Sequence, residues 1–230
     1  MGKQKAIMNW SGGKDSSYCL WKVLQKNELD VSCLLTSVNQ KYNRISMHGV
    51  TAELLDKQCE SIGIPSHKIL LPETPTMEDY NKIMQQNLET LKKQGVTHSV
   101  FGDIFLEDLK DYRTKQLATI NLMAVFPLWK IPTDKLVADF IKAGFKAIIV
   151  CVNGKLLDKS FCGRIIDEQF VKDLPSDVDP CGENGEFHSF VFDGPIFKNP
   201  VKFKKGEIVE RAYKGKDVSL NSKFYFQELL

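Results

Sequence analysis

The 230-residue sequence predicts an α/β fold, a parallel sheet with helices on both faces followed by a smaller α+β region. Three observations predict it. Strand-length apolar runs alternate with helix-period segments through the first half, joined by short links. A polar, glycine-rich loop stands between the first strand and the first helix. Beyond a soft boundary between Phe126 and Ile131 lies a smaller α+β region, in which the alternation loosens after "KAIIVCVN" and strand-like runs separated by turns follow.

The elements follow in order. "KAIMNW" reads as a buried strand. "SSYCLWKVLQKN" has helical spacing through Tyr18, Leu20, Trp21 and Leu24. "VSCLLTSVN" is a second strand, and "TAELLDKQCESIG" a helix stopped by Gly63. "KILLPE" is a short strand. "TMEDYNKIMQQNLETLKKQG" is a long helix with acids early and lysines late, as the helix dipole favours. "HSVFGDIF" is the fourth strand and "LEDLKDYRTKQLATINL" the next helix. "PTDKLVADFIKAGF" and "KAIIVCVN" continue the pattern, "DEQFVKDLP" is a short helix, and "FHSFVFDGPIF", "VKFKKGEIVERAYKG" and "KFYFQEL" read as antiparallel strands. Two domains are expected, residues 1–128 and 129–230.

Composition narrows the function classes. The chain is 43% hydrophobic and 26% charged, with a formal charge of +2. Such a balance argues against a general nucleic-acid coat or a membrane-surface binder, so no stable nucleic-acid partner and no membrane partner are expected. No apolar run is long enough to span a bilayer, no signal peptide is visible, and Ala6 stands where a myristoylation signal needs Ser or Thr. A cytoplasmic location is expected. The six cysteines show no C-x-x-C pair and the four histidines are scattered, which reads as buried free thiols rather than a zinc or iron–sulfur site.

The loop after the first strand carries the chemistry. In an open parallel sheet, ligands bind beyond the carboxyl ends of the strands, and the helix that follows points its N-terminus at them. Gly12 and Gly13 allow close backbone approach. Ser11, Ser16 and Ser17 offer hydroxyls, and Lys14 a cation. Asp15 is costly beside phosphates unless it holds Mg2+ or caps the helix. A Walker loop is excluded, since Met8 stands in place of its first glycine and Asp15 in place of Ser or Thr. A dinucleotide fingerprint is absent too. The plain alternative is a glycine turn capping a helix.

"SGGKDS" resembles the PP-loop of the ATP pyrophosphatases. With "VFGDI" at 100–104, "PLW" at 127–129, "CGRIID" at 162–167 and "GENGEFHSFVFDGPIF" at 182–197, nearly the whole chain resembles the diphthine–ammonia ligase family. The chain departs from that pattern at "GDIFLEDLKDYR" and at Asn184, where relatives often carry glycine; these departures look like a bacterial branch, whose substrate need not be diphthine.

The resemblance implies a HUP-like (adenine nucleotide alpha hydrolase-like) sheet. It also implies an ATP-dependent amide ligase: a carboxylate attacks the α-phosphate, pyrophosphate leaves, and ammonia displaces AMP. ATP and Mg2+, the latter on Asp15, are the implied cofactors. The implied partners are ammonium and a carboxylate on a small molecule or a modified protein side chain; a homo-oligomer is an open option. The chain starts at its first strand, so free ammonium or a partner is expected to supply the nitrogen.

On the same resemblance Ser11, Gly12, Gly13, Lys14, Asp15, Ser16 and Ser17 contact ATP, as do Thr36 and Ser37 at the end of the second strand, His48, and Gly102. Strand-end and helix caps are the plain alternatives for Thr36, Ser37 and His48. Asp103, Arg113, Arg164, Asn184 and Ser189 are the substrate-binding candidates. Asp103 could instead be structural or hold magnesium. Glu183 and Glu186 could orient ammonia, take its proton or bind a cationic substrate, and His188 could act as a base, alongside Asp15 as the catalytic set. An acidic turn is the plain reading of that stretch. Two rivals stand beside the ligase. A PP-loop tRNA-modifying enzyme is disfavoured by the absence of C-x-x-C pairs, and a non-catalytic ATP or AMP sensor by the 182–189 stretch.

Overall fold

Residues 2–45, 49–213 and 222–230 are described by the computed structural model. The glycine loop follows β1 (Gln4–Asn9) and opens α1 (Lys14–Lys26). β2 (Leu29–Asn39), the short β3 (Arg44–Ile45), α2 (Ala52–Ile62) and β4 (Ser66–Leu71) come next. The chain then runs through α3 (Met77–Lys93), β5 (His98–Val100), α4 (Glu107–Thr119) and β6 (Met123–Val125). β1 lies at the centre: β2 and then β4 add in parallel on one side, β5 and then β6 on the other, and β3 pairs antiparallel with the far end of β2. The order therefore reverses between β1 and β5, which opens a crevice at the carboxyl ends of those strands.

Alternation along the strands explains the layers. Ala6, Met8 and Leu34 face the cluster that includes Tyr18, Leu20, Leu54 and Leu55, so α1 and α2 cover one face. Ile7, Cys33 and Leu35 face the cluster that includes Leu88, Leu91 and Leu117, so α3 and α4 cover the other. A sheet buried on both faces requires the near-continuous apolar strands that the sequence shows.

α5 (Thr133–Lys142) and β7 (Lys146–Asn153) do not extend the parallel sheet as the alternation suggested. β7 heads a second, antiparallel sheet of order β8-β7-β10-β9, with β8 (Phe187–Asp193), β9 (Lys205–Tyr213) and β10 (Ser222–Leu229). The short α6 (Glu168–Asp173) precedes β8. The periodicity of an α-then-β segment does not encode which sheet its strand joins; side-chain packing does. Here Phe140 and Phe145 stack at 4.9 Å, and Tyr18 and Trp21 of α1 meet Phe145 edge-on at 6.2 and 6.1 Å. That aromatic cluster holds the second sheet against α1, and one apolar core runs through both sheets.

Three other boundaries differ from the sequence reading. β3 and β6 are too short to show a strand period. The strand expected over 98–105 stops at Val100, where the Asn9 side chain donates to the Val100 carbonyl at 2.9 Å. The helix expected to reach Leu122 stops at Thr119, and Asn121 takes a left-handed φ of 55° that turns the chain into β6.

Phe140 is fully buried between α1 and β7. Phe140→Ala is expected to cost about 3–5 kcal/mol, read as a lower urea midpoint.

Candidate functional site

The crevice at the strand-order reversal opens into a cavity of about 880 Å³, near the upper end of the roughly 300–1,000 Å³ usual for small-molecule sites. Its floor is the loop and the first turn of α1: Ser11, Gly13, Lys14, Asp15 and Ser16. Thr36 and Ser37 line it from β2, Gly102 and Asp103 from beyond β5, Arg113 from α4, Glu183 from the turn before β8, and His188 and Ser189 from β8 itself. Tyr80 and Met84 of α3 add an apolar wall.

Local chemistry shapes the loop. Gly12 has φ +76°, and a Cβ there would lie 2.5 Å from Gln58 Oε1, so this position takes glycine. Its carbonyl accepts from Val191 N at 2.9 Å and from Gln58 Nε2 at 2.9 Å. Gly13 is the N-cap of α1 with no side-chain cap, which leaves the helix N-terminus to the cavity. Ser16 Oγ donates to the Gly13 carbonyl at 3.0 Å, and Lys14 N donates to Ser189 Oγ at 3.1 Å. Thr36 Oγ1 donates to the Trp10 carbonyl at 2.6 Å, which ties β2 to the loop.

Gly102 also has a local steric reason to be glycine. A Cβ there would meet the backbone of Asp15 and Ser16 at 3.0–3.2 Å. The residue is glycine because the start of α1 presses against it, although it also borders the cavity.

Charges concentrate beside the loop. Lys14 is only 2% exposed, and its Nζ lies 2.6 Å from Asp15 Oδ1 and 3.8 Å from Glu183 Oε1. Burial opposes its positive charge, but Asp15 and Glu183 outweigh that and hold its pKa above the usual lysine range. Burial pushes Glu183 up to about 8, reinforced by Asp15 and opposed by Lys14. Asp103 is raised too, by burial first, against the pull of Arg113. Arg113 Nη1 sits 3.1 Å from Asp103 Oδ2, with its guanidinium 4.4 Å from the centre of the Phe101 ring.

The 179–189 turn sorts the two glutamates. Glu186 is 2% exposed and accepts from Asp179 N at 3.0 Å, Asn184 N at 2.8 Å and Asn184 Nδ2 at 3.1 Å. Asp179 accepts from Cys181 N at 2.8 Å and from Thr133 Oγ1 at 2.7 Å. Glu186 and Asn184, expected as catalytic and substrate-binding groups, shape the turn and are not among the residues that line the cavity. Glu183 alone of the pair points at Lys14.

Arg164, expected to bind substrate, stands apart from the residues that line the cavity. It pairs with Asp173 at 2.6 Å, packs over Phe161 and Phe170, and lies away from the cavity. Ser17 is fully buried behind the loop, and its Oγ has no hydrogen-bond partner among the described residues. His48 lies outside the described residues. The sequence reading missed Gln58, Asp179, Tyr80 and Met84. Only Asp179 carried a local signal, an Asx-type turn two residues before Cys181.

All six cysteines are buried and unpaired, and burial raises the thiol pKa at Cys19, Cys59 and Cys181. Among the described residues, no group of three or more His, Cys, Asp or Glu is arranged to hold a metal ion, and no helix is long and apolar enough to cross a membrane.

An α/β sheet with a glycine-capped helix N-terminus at its order reversal, faced by a second sheet, is consistent with a PP-loop fold. The diphthamide synthase N-terminal domain matches residues 4–118 and the diphthamide synthase C-terminal domain residues 132–219. The chain belongs to the diphthamide synthase family, as its loop and its 182–197 stretch suggested. It is similar to proteins named diphthine–ammonia ligase. The human one is 22% identical over 222 aligned residues, covering 86% of this chain and 82% of the relative. The cattle protein is 23% identical, covering 88% and 84%, and the zebrafish protein 23%, covering 86% of each.

Glu183 gives a pH test. Its folded pKa of about 8 exceeds the ordinary 4.5, so the folded state holds the proton longer than the unfolded chain. Stability should therefore fall as pH rises between those two values. Glu183→Gln is expected to flatten that decline, measured by denaturant unfolding across the window.

Proposed function

We propose that this protein is an ATP-dependent amide ligase that adenylates a carboxylate and transfers ammonia to it, as a diphthine–ammonia ligase does. Residues 1–128 form the nucleotide half and 129–230 the substrate half. One observation carries the reading: the N-terminus of α1, whose N-cap Gly13 supplies no side-chain cap, and the raised-pKa Glu183 face one cavity, with Lys14 between Asp15 and Glu183.

The loop is suited to polyphosphate. Ser11, Gly13, Lys14 and Ser16 border the cavity beside the positive end of the α1 dipole. Thr36 and Ser37 border it where the adenosine would lie. Asp15 fits a magnesium ion held by one carboxylate and by phosphate oxygens, a common arrangement for this ion. When bound, Mg2+ would neutralise phosphate charge, and Lys14 would turn from Asp15 toward the phosphates.

The substrate carboxylate oxygen forms a bond to the α-phosphorus, and the bond from that phosphorus to the bridging oxygen breaks, releasing pyrophosphate. Arg113, held by Asp103 and Phe101, would orient the acceptor. Ammonia then attacks the acyl carbon, AMP leaves, and a proton passes to Glu183, whose pKa of about 8 suits a base working near neutrality. His188 and Ser189 border the same space. Diphthine, named for the relatives, is the first acceptor to try.

The test is pyrophosphate and AMP release from ATP–Mg2+ with ammonium and a panel of carboxylates, diphthine included. Acceptor-dependent pyrophosphate is expected; ADP and inorganic phosphate would overturn the reading. Asp15→Ala and Glu183→Gln are each expected to lower kcat by about 10²–10⁴-fold. In the wild type the rate should rise with pH as Glu183 loses its proton, and Glu183→Gln should remove that limb.

A further inference from the structure

Gln58 occupies a position in the apolar stripe of α2, between Leu55 and Ile62, and is fully buried. An amide in such a place needs partners for all its polar atoms, and it has them. Nε2 donates to the Gly12 carbonyl at 2.9 Å and to the Val191 carbonyl at 2.5 Å, while Oε1 accepts from Trp10 Nε1 at 3.1 Å. Only one orientation of the amide satisfies the set. Flipped, it would set its oxygen against two carbonyls and its NH2 against the indole N–H.

We infer that Gln58 is a positioning residue of the phosphate loop. It holds the Gly12 carbonyl turned away from the cavity. In a trans peptide the C=O of Gly12 and the N–H of Gly13 point in opposite directions. Anchoring the carbonyl on Gln58 therefore directs the next N–H away from Gln58, toward the side where Ser11 Oγ lies at 3.3 Å. Without Gln58 the carbonyl keeps only the bond from Val191 N at 2.9 Å, so the peptide is held less firmly and can more readily tilt its oxygen toward the incoming phosphates, which it would repel. The same amide joins three separate elements: α2, the end of β1 through Trp10, and β8 through Val191. The loop is thereby preset before ligand arrives, which lowers the ordering cost of binding.

The inference rests on the nucleotide reading above, so its test carries one readout that needs no ligand. Gln58→Met keeps the volume and removes the hydrogen bonds; Gln58→Glu keeps the acceptor for Trp10 and loses both donors. Amide hydrogen exchange over residues 9–18 of the free protein is measured together with ATP affinity by calorimetry. Both variants are expected to exchange faster in that segment than elsewhere and to bind ATP about tenfold more weakly, the equivalent of one lost buried hydrogen-bond set. A Gln58→Met protein with wild-type loop exchange and ATP affinity would overturn the inference, because volume alone would then suffice. Faster exchange spread evenly over the molecule with ATP affinity unchanged would overturn it as well. Faster loop exchange in the variants, with no ATP binding even by the wild type, would uphold the brace and remove the nucleotide reading instead.

Discussion

The carbonyl of Gly12 is the point on which this structure turns. It accepts from Val191 N, the backbone of the second sheet, and from Gln58 Nε2, the buried amide of α2. One oxygen thus links the loop after the central strand, a helix of the first sheet and an edge strand of the second. A buried backbone carbonyl must be paired, and both of its donors come from elements that only the fold brings to the loop. The site is a product of the assembled fold rather than of the loop alone.

The electrostatics follow from that assembly. Bringing β8 onto the loop places Glu183 near Lys14, which already meets Asp15. Asp103 enters from the other side of the order reversal, accompanied by Arg113. Three carboxylates in a partly buried space could not all stay ionised cheaply without the two cations. Asp15 and Asp103 have cations at 2.6 and 3.1 Å while Glu183 keeps the longer, 3.8 Å contact, and burial raises the pKa of both Glu183 and Asp103. Carboxyls raised by burial within one cleft are a mark of candidate acid–base sites.

The two family domains meet across the same cavity. The matched N-terminal domain holds the loop, Thr36, Asp103 and Arg113; the matched C-terminal domain holds Glu183, His188 and Ser189. The chain between the two matches, residues 119–131, contains β6 and ends just before α5. Neither half would enclose the cavity by itself, and the single apolar core built on Tyr18, Phe140 and Phe145 keeps them together.

By itself the sequence determined the local features. The alternation of apolar runs, the helix stop at Gly63 and the Thr76–Asp79 cap of α3 are encoded within a few residues of where they act. The phosphate loop was legible for the same reason: a cradle made from successive backbone groups is written contiguously. The tertiary structure alone decided which of two similar glutamates faces the cavity. Glu183 and Glu186 are three residues apart in one acidic stretch, and only the hydrogen bonds from Asp179 and Asn184 separate them. It also decided that β7 joins the antiparallel sheet, that Arg164 turns to Asp173, and that Gln58 holds a loop 46 residues earlier in the chain. Those roles depend on partners distant in sequence, and the residue types carry no mark of them until the chain has folded.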